Sequence, residues 1–424
     1  MPEMDEQIEA LVAPLKEQIR ALLVARRRQG ELDPEELASA VRAVFEPTER
    51  AAYVVATEMH ARYEAAPVCP GCRRPMQRHD RVARVLVTAA GERRGVYQRW
   101  RCRACRCAAC PTWEAAGVRH GCGRALAARL TQLGTLLPFE TAERVLACWG
   151  PPVSDNTIAR LCRDAGSQRA LGDVPAPGAA RAPQRLYVLV DGATARVERH
   201  WREFRVAVIY ETDCAGLDAR GRPPQARWRR VLAGLWTADE CAEHVAAELE
   251  RLGADHAREV VCCADGAAWI WDRLRALVPP WVKCVEVLDW YHATENLGKA
   301  VRAVYGEQGN ELEFKRLRAW LRLSNHGDLQ RRLAELEQQA RGADAQRVVA
   351  NVRRYCQTHR ARMDYLRLPC DGYYIGSGSV ESACKQIKGR LAGPGMNWSK
   401  AGFDAMLQLV SDEFSARRPI PIAA

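Results

Sequence analysis

The sequence predicts an α/β (α+β) protein built on a mixed sheet, and three observations carry that expectation. Between residues 185 and 236 lie three strand-like runs, LYVLVDGA, FRVAVIYE and WRRVLAGLW, rich in Val, Leu and aromatic residues. A helix near 238–252, the strand REVVCCAD, a helix near 267–277 and the strand VKCVEVLD then alternate. From about 292 to 368 the pattern becomes helical and strongly charged, as in NELEFKRLRAWLRL and LQRRLAELEQQA.

Three antiparallel-type strands followed by strand–helix alternation match an RNase H-like mixed sheet. Residues 185–292 are expected to form the first part of this core, 293–370 an all-helical insertion, and 371–415 the rest of the core with a helix after the loop GYYIGSGS. GDVPAPGAARAPQ, at 172–184, reads as a linker. Before it, residues 116–172 are expected to be helical. There, TAERVLACWGPPVSDNTIARLCRDAG resembles a helix-turn-helix, with Ser154 or Asp155 capping the second helix. That pattern fits a DNA-contacting pair or a plain pair of helices. Residues 1–65 read as a helical hairpin. Ile8, Leu11, Leu15, Ile19 and Leu22 recur at helical spacing, and Asp33 is placed to cap the helix that Pro34 begins. The hairpin suits oligomerisation, DNA-end binding or a purely structural part.

The 424 residues carry a formal charge of +11. Residues 1–60 hold 7 basic and 12 acidic side chains, and the remainder 56 and 40. A basic body behind an acidic head suits a polyanionic partner such as nucleic acid, although a composition rich in Arg and Ala throughout also gives this balance. No apolar run is long enough to cross a membrane and the N-terminus is acidic, so a cytoplasmic protein is expected, with no membrane partner. The 17 cysteines lie along a long chain, which argues against a secreted disulfide scaffold. GSGS lacks the following Gly-Lys-Ser/Thr of a P-loop, and no Ser-His-Asp set is apparent.

Residues 66–115 hold two CxxC turns, Cys69–Cys72 and Cys102–Cys105, on either side of a hairpin-like stretch. Four thiolates from two such turns make a closed tetrahedral site for a structural Zn²⁺. Cys107 and Cys110 form a third CxxC that competes with the second turn, whereas His79 reads as a surface residue. From Cys69 to Pro111 there are 11 arginines against Asp80 and Glu92. Arg99 and Arg101, with Tyr97 and Trp100 between and beside them, suit phosphate contact and base stacking. A zinc-stapled protein-interaction module is the competing reading.

Asp191 follows the run LYVLV and Asp265 the run VVCCA, each preceding a glycine that would let a substrate approach. Glu381 falls in the first turn of the helix after GSGS, where a carboxylate is favoured. Carboxylates converging from rigid elements hold two divalent ions, Mg²⁺ or Mn²⁺, for phosphoryl transfer. Lys385 and Lys388 follow Glu381 at i+4 and i+7 and add positive charge on one helix face. Asp289 ends a third strand and forms an Asp-x-x-His pair with His292. Read from the residues alone, Asp289 rivals Asp265, and His292 is equally a helix-start residue.

LYVLVDGATARV, CADGAAWIW, VLDWYHATENL and IGSGSVESACKQIKGRLAGPGMNWS together resemble prokaryotic insertion-sequence DDE transposases of the ISKra group, and more distantly the Mutator-like superfamily. The resemblance covers roughly residues 65–415. It implies a catalytic triad of Asp191, Asp265 and Glu381, which settles the rivalry in favour of Asp265 and leaves Asp289 and His292 in support. It implies that Trp398 stacks on an unpaired base or packs in the core. It implies cleavage at the transposon terminal inverted repeats by water, then in-line attack of the freed 3′-hydroxyl on target DNA, with a homodimer pairing two ends of double-stranded DNA in the bacterial nucleoid. A zinc-containing DNA-binding regulator without chemistry, and an RNase H-like nuclease that cuts without joining, are the alternatives.

Overall fold

The computed structural model describes residues 2–27, 33–169 and 182–415. Most of the expected linker at 172–184, and most of GELDP at 30–34, which reads as the turn between the two helices of the hairpin, therefore fall outside the described residues. The chain divides into two compact units, Met1–Leu161 and Cys162–Ala424.

In the first unit, helices α1 (Pro2–Arg27) and α2 (Pro34–Tyr63) form the hairpin, and Asp33 caps α2 by accepting from the Glu35 N–H at 2.8 Å. Strands β1 (Gln77–Thr88), β2 (Gly91–Arg101) and β3 (Ala108–Ala109) make an antiparallel sheet in that order. The chain continues into α3 (Pro111–Ala115), α4 (Arg124–Leu136), α5 (Phe139–Trp149) and α6 (Asp155–Ser167). Ser154, not Asp155, stands at the cap position of α6, where its Oγ accepts from the Thr157 N–H at 3.4 Å. Helix α2 packs along β2. Glu64, just past its end, accepts from Trp100 Nε1 at 2.8 Å and from Thr112 Oγ1 at 2.5 Å.

These contacts correct one expectation. Tyr97 and Trp100 are only 3% and 2% exposed, so both rings are closed to a stacking base; Trp100 packs with Cys69, Met76 and Cys102. The Tyr97 hydroxyl meets that of Tyr53 at 3.1 Å, and its ring meets Trp113 edge-on. The two rings lie three residues apart on β2, so alternation turns them to opposite faces, and both faces are covered at these positions.

The second unit is built on a five-stranded mixed sheet in the order β6–β5–β4–β7–β8. The strands are β4 (Arg185–Val197), β5 (His200–Thr212), β6 (Trp228–Gly234), β7 (Glu259–Ala264) and β8 (Lys283–Leu288). The first three are antiparallel, and β7 and β8 run parallel to β4. Helix α7 (Ala238–Arg251) joins β6 to β7, and α8 (Ala268–Leu277) joins β7 to β8. Thr237 and Glu240 close a capping box on α7.

Leu186, Val188 and Val190 of β4 share a core with Val245 and Leu249 of α7 and with Ile270 and Leu274 of α8. The alternate residues face α14 (Gly378–Leu391), which packs on β4 and β5, while α15 (Lys400–Phe414) packs on β6. Between β8 and α14 run α9 (Trp290–Tyr305), α10 (Glu311–Arg322), α11 (His326–Gln339), α12 (Ala343–Thr358) and the short α13 (Arg367–Cys370). The helical stretch expected after residue 292 is thus four helices and a short fifth.

Glu259, at the start of β7, is 3% exposed and ties three strands to the loop before α14. It accepts from Arg185 Nε at 2.5 Å, Lys283 Nζ at 2.7 Å and the Tyr373 hydroxyl at 2.8 Å. Burial pushes its carboxyl up, but the donors from Lys283, Arg185 and Tyr373 outweigh burial and bring it down to about 2. Its stabilising effect is therefore present above the ordinary glutamate value and is lost as pH falls toward 2. Glu259→Ala leaves the Arg185 guanidinium buried and uncompensated, and is expected to cost about 3–5 kcal/mol. Urea denaturation at neutral pH reads that loss, and the gap between variant and parent should narrow in strong acid.

Candidate functional site

The sheet register brings the flagged aspartates to one level. Val188 pairs with Cys262 and Cys262 with Glu286. Three residues further along each strand stand Asp191, Asp265 and Asp289. The period of two puts all three on the same side of the pleat, the side that α14 covers. Asp265 and Asp289 immediately follow the last residues of β7 and β8. Asp191 departs from the expectation. It lies inside β4, paired with Val206 of β5, because the β4–β5 hairpin continues to Val197 and His200. Only its pairing with β7 has ended, at Leu189.

The two glycines after the aspartates stand close to side chains of the protein itself. A Cβ on Gly192 would stand 2.5 Å from Glu203 Oε1, and one on Gly266 would stand 2.0 Å from the Tyr355 ring. Gly266 makes room for the Tyr355 ring, whereas the Glu203 carboxylate beside Gly192 is the end of a flexible side chain.

Asp289 is fully buried and caps α9. Its Oδ1 accepts from the His292 N–H at 2.6 Å and lies 2.9 Å from His292 Nδ1. Its Oδ2 accepts from the Ser377 N–H at 2.5 Å. Ser377 in turn donates its Oγ–H to Glu381 Oε1 at 3.0 Å. A continuous chain of hydrogen bonds thus runs His292–Asp289–Ser377–Glu381. It joins the start of α9 to the start of α14. Ligand atoms of Asp289, His292 and Glu381 all lie within 4.8 Å of one another. This compact cluster is not the triad expected from the sequence, since Asp191 and Asp265 stand beside it. They remain electrically linked to it, because both carboxylates act on His292.

The electrostatics follow from this packing. Burial raises the Asp191 carboxyl, and Asp265 adds to the rise. The Gly192 N–H at 2.7 Å, Cys384 and His292 pull the other way without cancelling it. The Asp289 hydrogen bond raises the His292 ring to about 9 against the effect of burial, so His292 is an imidazolium at neutral pH. Burial also opposes the charge on Asp289, but donors from His292 and Ser377 hold it below its ordinary value. Asp265 accepts from the Ala267 N–H at 2.9 Å.

Glu381 lies in the first turn of α14, as expected, and Lys385 Nζ stands 3.6 Å from its Oε2. Lys385 and Lys388 are both exposed. Trp398 is half-buried. Its Nε1–H donates to the Leu391 carbonyl at 2.7 Å, and the Arg390 guanidinium lies 5.9 Å from its ring centre.

Ser377 and Cys384 escaped the sequence reading. The signal for Ser377 was its place four residues before Glu381, which brings the two side chains together when the chain turns into α14. Asp289→Asn is expected to leave the fold cooperative while releasing His292 from its fixed charge. NMR titration of the His292 ring should then show its midpoint falling from about 9 toward the ordinary histidine value.

In the first unit, Cys69, Cys72, Cys102 and Cys105 gather their sulfurs within 4.8 Å of one another. Cys69 and Cys105 are 3.4 Å apart, as are Cys72 and Cys102. The two turns are built alike. Arg73 and Arg106 adopt positive φ of 60° and 57° and donate their N–H groups to the carbonyls of Cys69 and Cys102. The Cys72 N–H pulls the Cys69 thiol down to about 6. The Cys107 N–H pulls Cys105 down as well, but the thiols of Cys69 and Cys102 push it up to about 12. Crowded sulfurs that resist losing their last proton suit a shared soft cation, and this cluster can hold a structural zinc ion. Cys107 and Cys110 are not among these four, although Cys107 packs against the cluster. Arg99 is held by Asp80 through contacts of 2.7 and 2.5 Å, whereas Arg101 is exposed. His79 is exposed, as expected.

Compared with protein-family models and with curated proteins, the chain matches none. Among the described residues no helix is long and apolar enough to cross a membrane.

Proposed function

We propose that the chain is a DDE-type DNA transposase that cuts and joins DNA at the ends of an insertion sequence. The observation that carries this reading is the alignment of Asp191, Asp265 and Asp289 across three adjacent parallel strands, with Glu381 held against that row through Ser377. Three antiparallel strands continued by two parallel ones support an RNase H-like core. The four-cysteine cluster on a short antiparallel sheet supports a zinc ribbon.

Asp191, Asp265 and Glu381 offer hard carboxylate oxygens, the donors that Mg²⁺ and Mn²⁺ prefer. Two such ions, when bound, supply Lewis-acid activation of the attacking oxygen and stabilisation of the leaving one. A carboxyl that burial and Asp265 both hold above its ordinary value, as at Asp191, is one that a nearby cation would relieve. Asp289 has both oxygens committed to His292 and Ser377, so it positions rather than ligates. Protonated His292 orients the scissile phosphate by charge. Lys385 and Lys388, with Arg101 on the zinc module, draw the DNA backbone toward the protein. The partners are double-stranded terminal inverted repeats and target DNA, and pairing of two ends makes a homodimer in the nucleoid.

The test is incubation of the full chain and Mg²⁺ with DNA that flanks its gene. Cleaved ends joined to target DNA support the proposal. Cleavage without joining would make the protein a nuclease, and binding without cleavage would make it a regulator.

A further inference from the structure

Beside the acidic row lies a cavity of about 820 Å³ that the proposed chemistry does not use. Tyr210 of β5 and Ala226 line part of it, and most of its wall comes from three other places. Trp290 and Tyr291 are contributed by the start of α9, Lys315, Arg318 and Arg322 by α10, and Tyr374 with Gly376, Gly378 and Ser379 by the loop entering α14. Gly376 fixes the cavity next to the site. A Cβ there would meet the Tyr291 ring at 3.0 Å and Asp289 Oδ2 at 3.8 Å. Tyr291 is 61% exposed, a large ring left open on the cavity wall one residue before His292. Arg318 has no carboxylate partner among the described residues and lies 5.9 Å from the Trp290 ring centre. Arg322 differs, since it donates to the Tyr365 carbonyl, and Lys315 pairs with Glu311 at 2.7 Å.

We propose that this cavity is a subsite for one unpaired nucleotide of the DNA strand, its base against Tyr291 and its phosphate against Arg318. The inference rests on the proposed function and names the strand geometry that the site takes. The size suits one nucleotide, since pockets for small ligands span about 300–1,000 Å³, and a duplex is far too wide to enter. The chemistry suits a nucleotide as well. An exposed aromatic face stacks any base, and a guanidinium without a carboxylate pairs with phosphate. The two first residues of α14, Gly378 and Ser379, add N–H groups of a helix start on the same wall. A nucleotide seated against Tyr291 leaves its neighbouring phosphodiester beside His292 and Glu381, so the cavity selects DNA already opened at the point of cutting.

The experiment uses the full chain carrying its zinc, with no Mg²⁺ or Mn²⁺ added, so that no cleavage occurs. The probes are two duplexes of one sequence, one blunt and one ending in a short unpaired strand carrying 2-aminopurine. Wild-type protein is expected to bind the frayed duplex about tenfold more tightly than the blunt one and to quench the 2-aminopurine, because stacking on one aromatic contributes about 1–3 kcal/mol. Tyr291→Ala and Arg318→Ala should each remove most of that preference and leave blunt-duplex affinity unchanged. Tyr291→Phe should retain both the preference and the quenching. Equal binding of the two duplexes by wild-type protein overturns the subsite, and so does a preference that Tyr291→Ala leaves intact. No joined product in the Mg²⁺ assay, with the binding preference present here, would instead overturn the transposase reading alone.

Discussion

Alanine at Asp191, at Asp265 or at Glu381 is expected to reduce Mg²⁺-dependent DNA cleavage by about 10³-fold or more. Lewis-acid stabilisation by a bound ion amounts to several kcal/mol, and each 1.36 kcal/mol is a factor of ten in rate. The fold should survive each change. Asp191 supplies the sharpest contrast, since its carboxyl is raised by burial and by Asp265. A group raised in this way opposes folding once it ionises. Asp191→Asn should therefore be as stable as the parent or slightly more stable near neutral pH, while being inactive. Gel-based cleavage assays and thermal melts on the same samples read both halves. A variant with full cleavage would remove its residue from the catalytic set.

Loss of one cysteine from the Cys69–Cys72–Cys102–Cys105 cluster is expected to release zinc and unfold the sheet around it. Structural zinc in small modules contributes apparent binding free energies of about 10–16 kcal/mol. The buried core around this cluster is small, with Met76, Trp100 and Ala109 as its main non-cysteine members. Cys72→Ser and Cys102→Ser should each lower zinc from one equivalent per chain to near zero by elemental analysis. They should also expose the Trp100 indole, which is buried and bonded to Glu64. Cys107→Ser should keep the full zinc complement, because Cys107 stands outside the four-sulfur group. Zinc loss there would move the ligand assignment to the third CxxC.

The order of strands and helices in the second unit was legible because hydrophobic periodicity and turn residues mark elements directly. The runs ending at Asp265 and Asp289 are short, apolar and bounded, and they are β7 and β8. Asp191 reads as a strand end because the apolar run LYVLV stops there and Asp-Gly commonly makes a turn. It lies mid-strand because β5 supplies thirteen paired partners, a long-range fact that a local pattern does not encode. The paired CxxC spacing marked the four sulfurs, since the ligand geometry is local to each turn. Burial of Tyr97 and Trp100 was hidden because it depends on α2 packing along β2, far away in sequence.

The chemistry of the acidic site was legible in part for the same reason. Residue type and spacing singled out Asp191, Asp265, Glu381, Asp289 and His292. The link through Ser377 was not visible, because two distant segments must meet before the Ser377 N–H can reach Asp289. Trp398 drew notice as an aromatic for an unpaired base, yet its ring is half-buried and its N–H is held by Leu391. Tyr291 passed unnoticed, since a single tyrosine at a helix start has no signature until the cavity beside it is seen.

Crystals of the full chain soaked in Mn²⁺ would show, through anomalous scattering at the metal edge, which carboxylates hold the ions. Peaks are expected about 2.1 Å from carboxylate oxygens of Asp191, Asp265 and Glu381, with Asp289 still bonded to His292 and Ser377. A peak held by Asp289, His292 and Glu381 without Asp191, or no peak near the row of aspartates, would contradict this assignment.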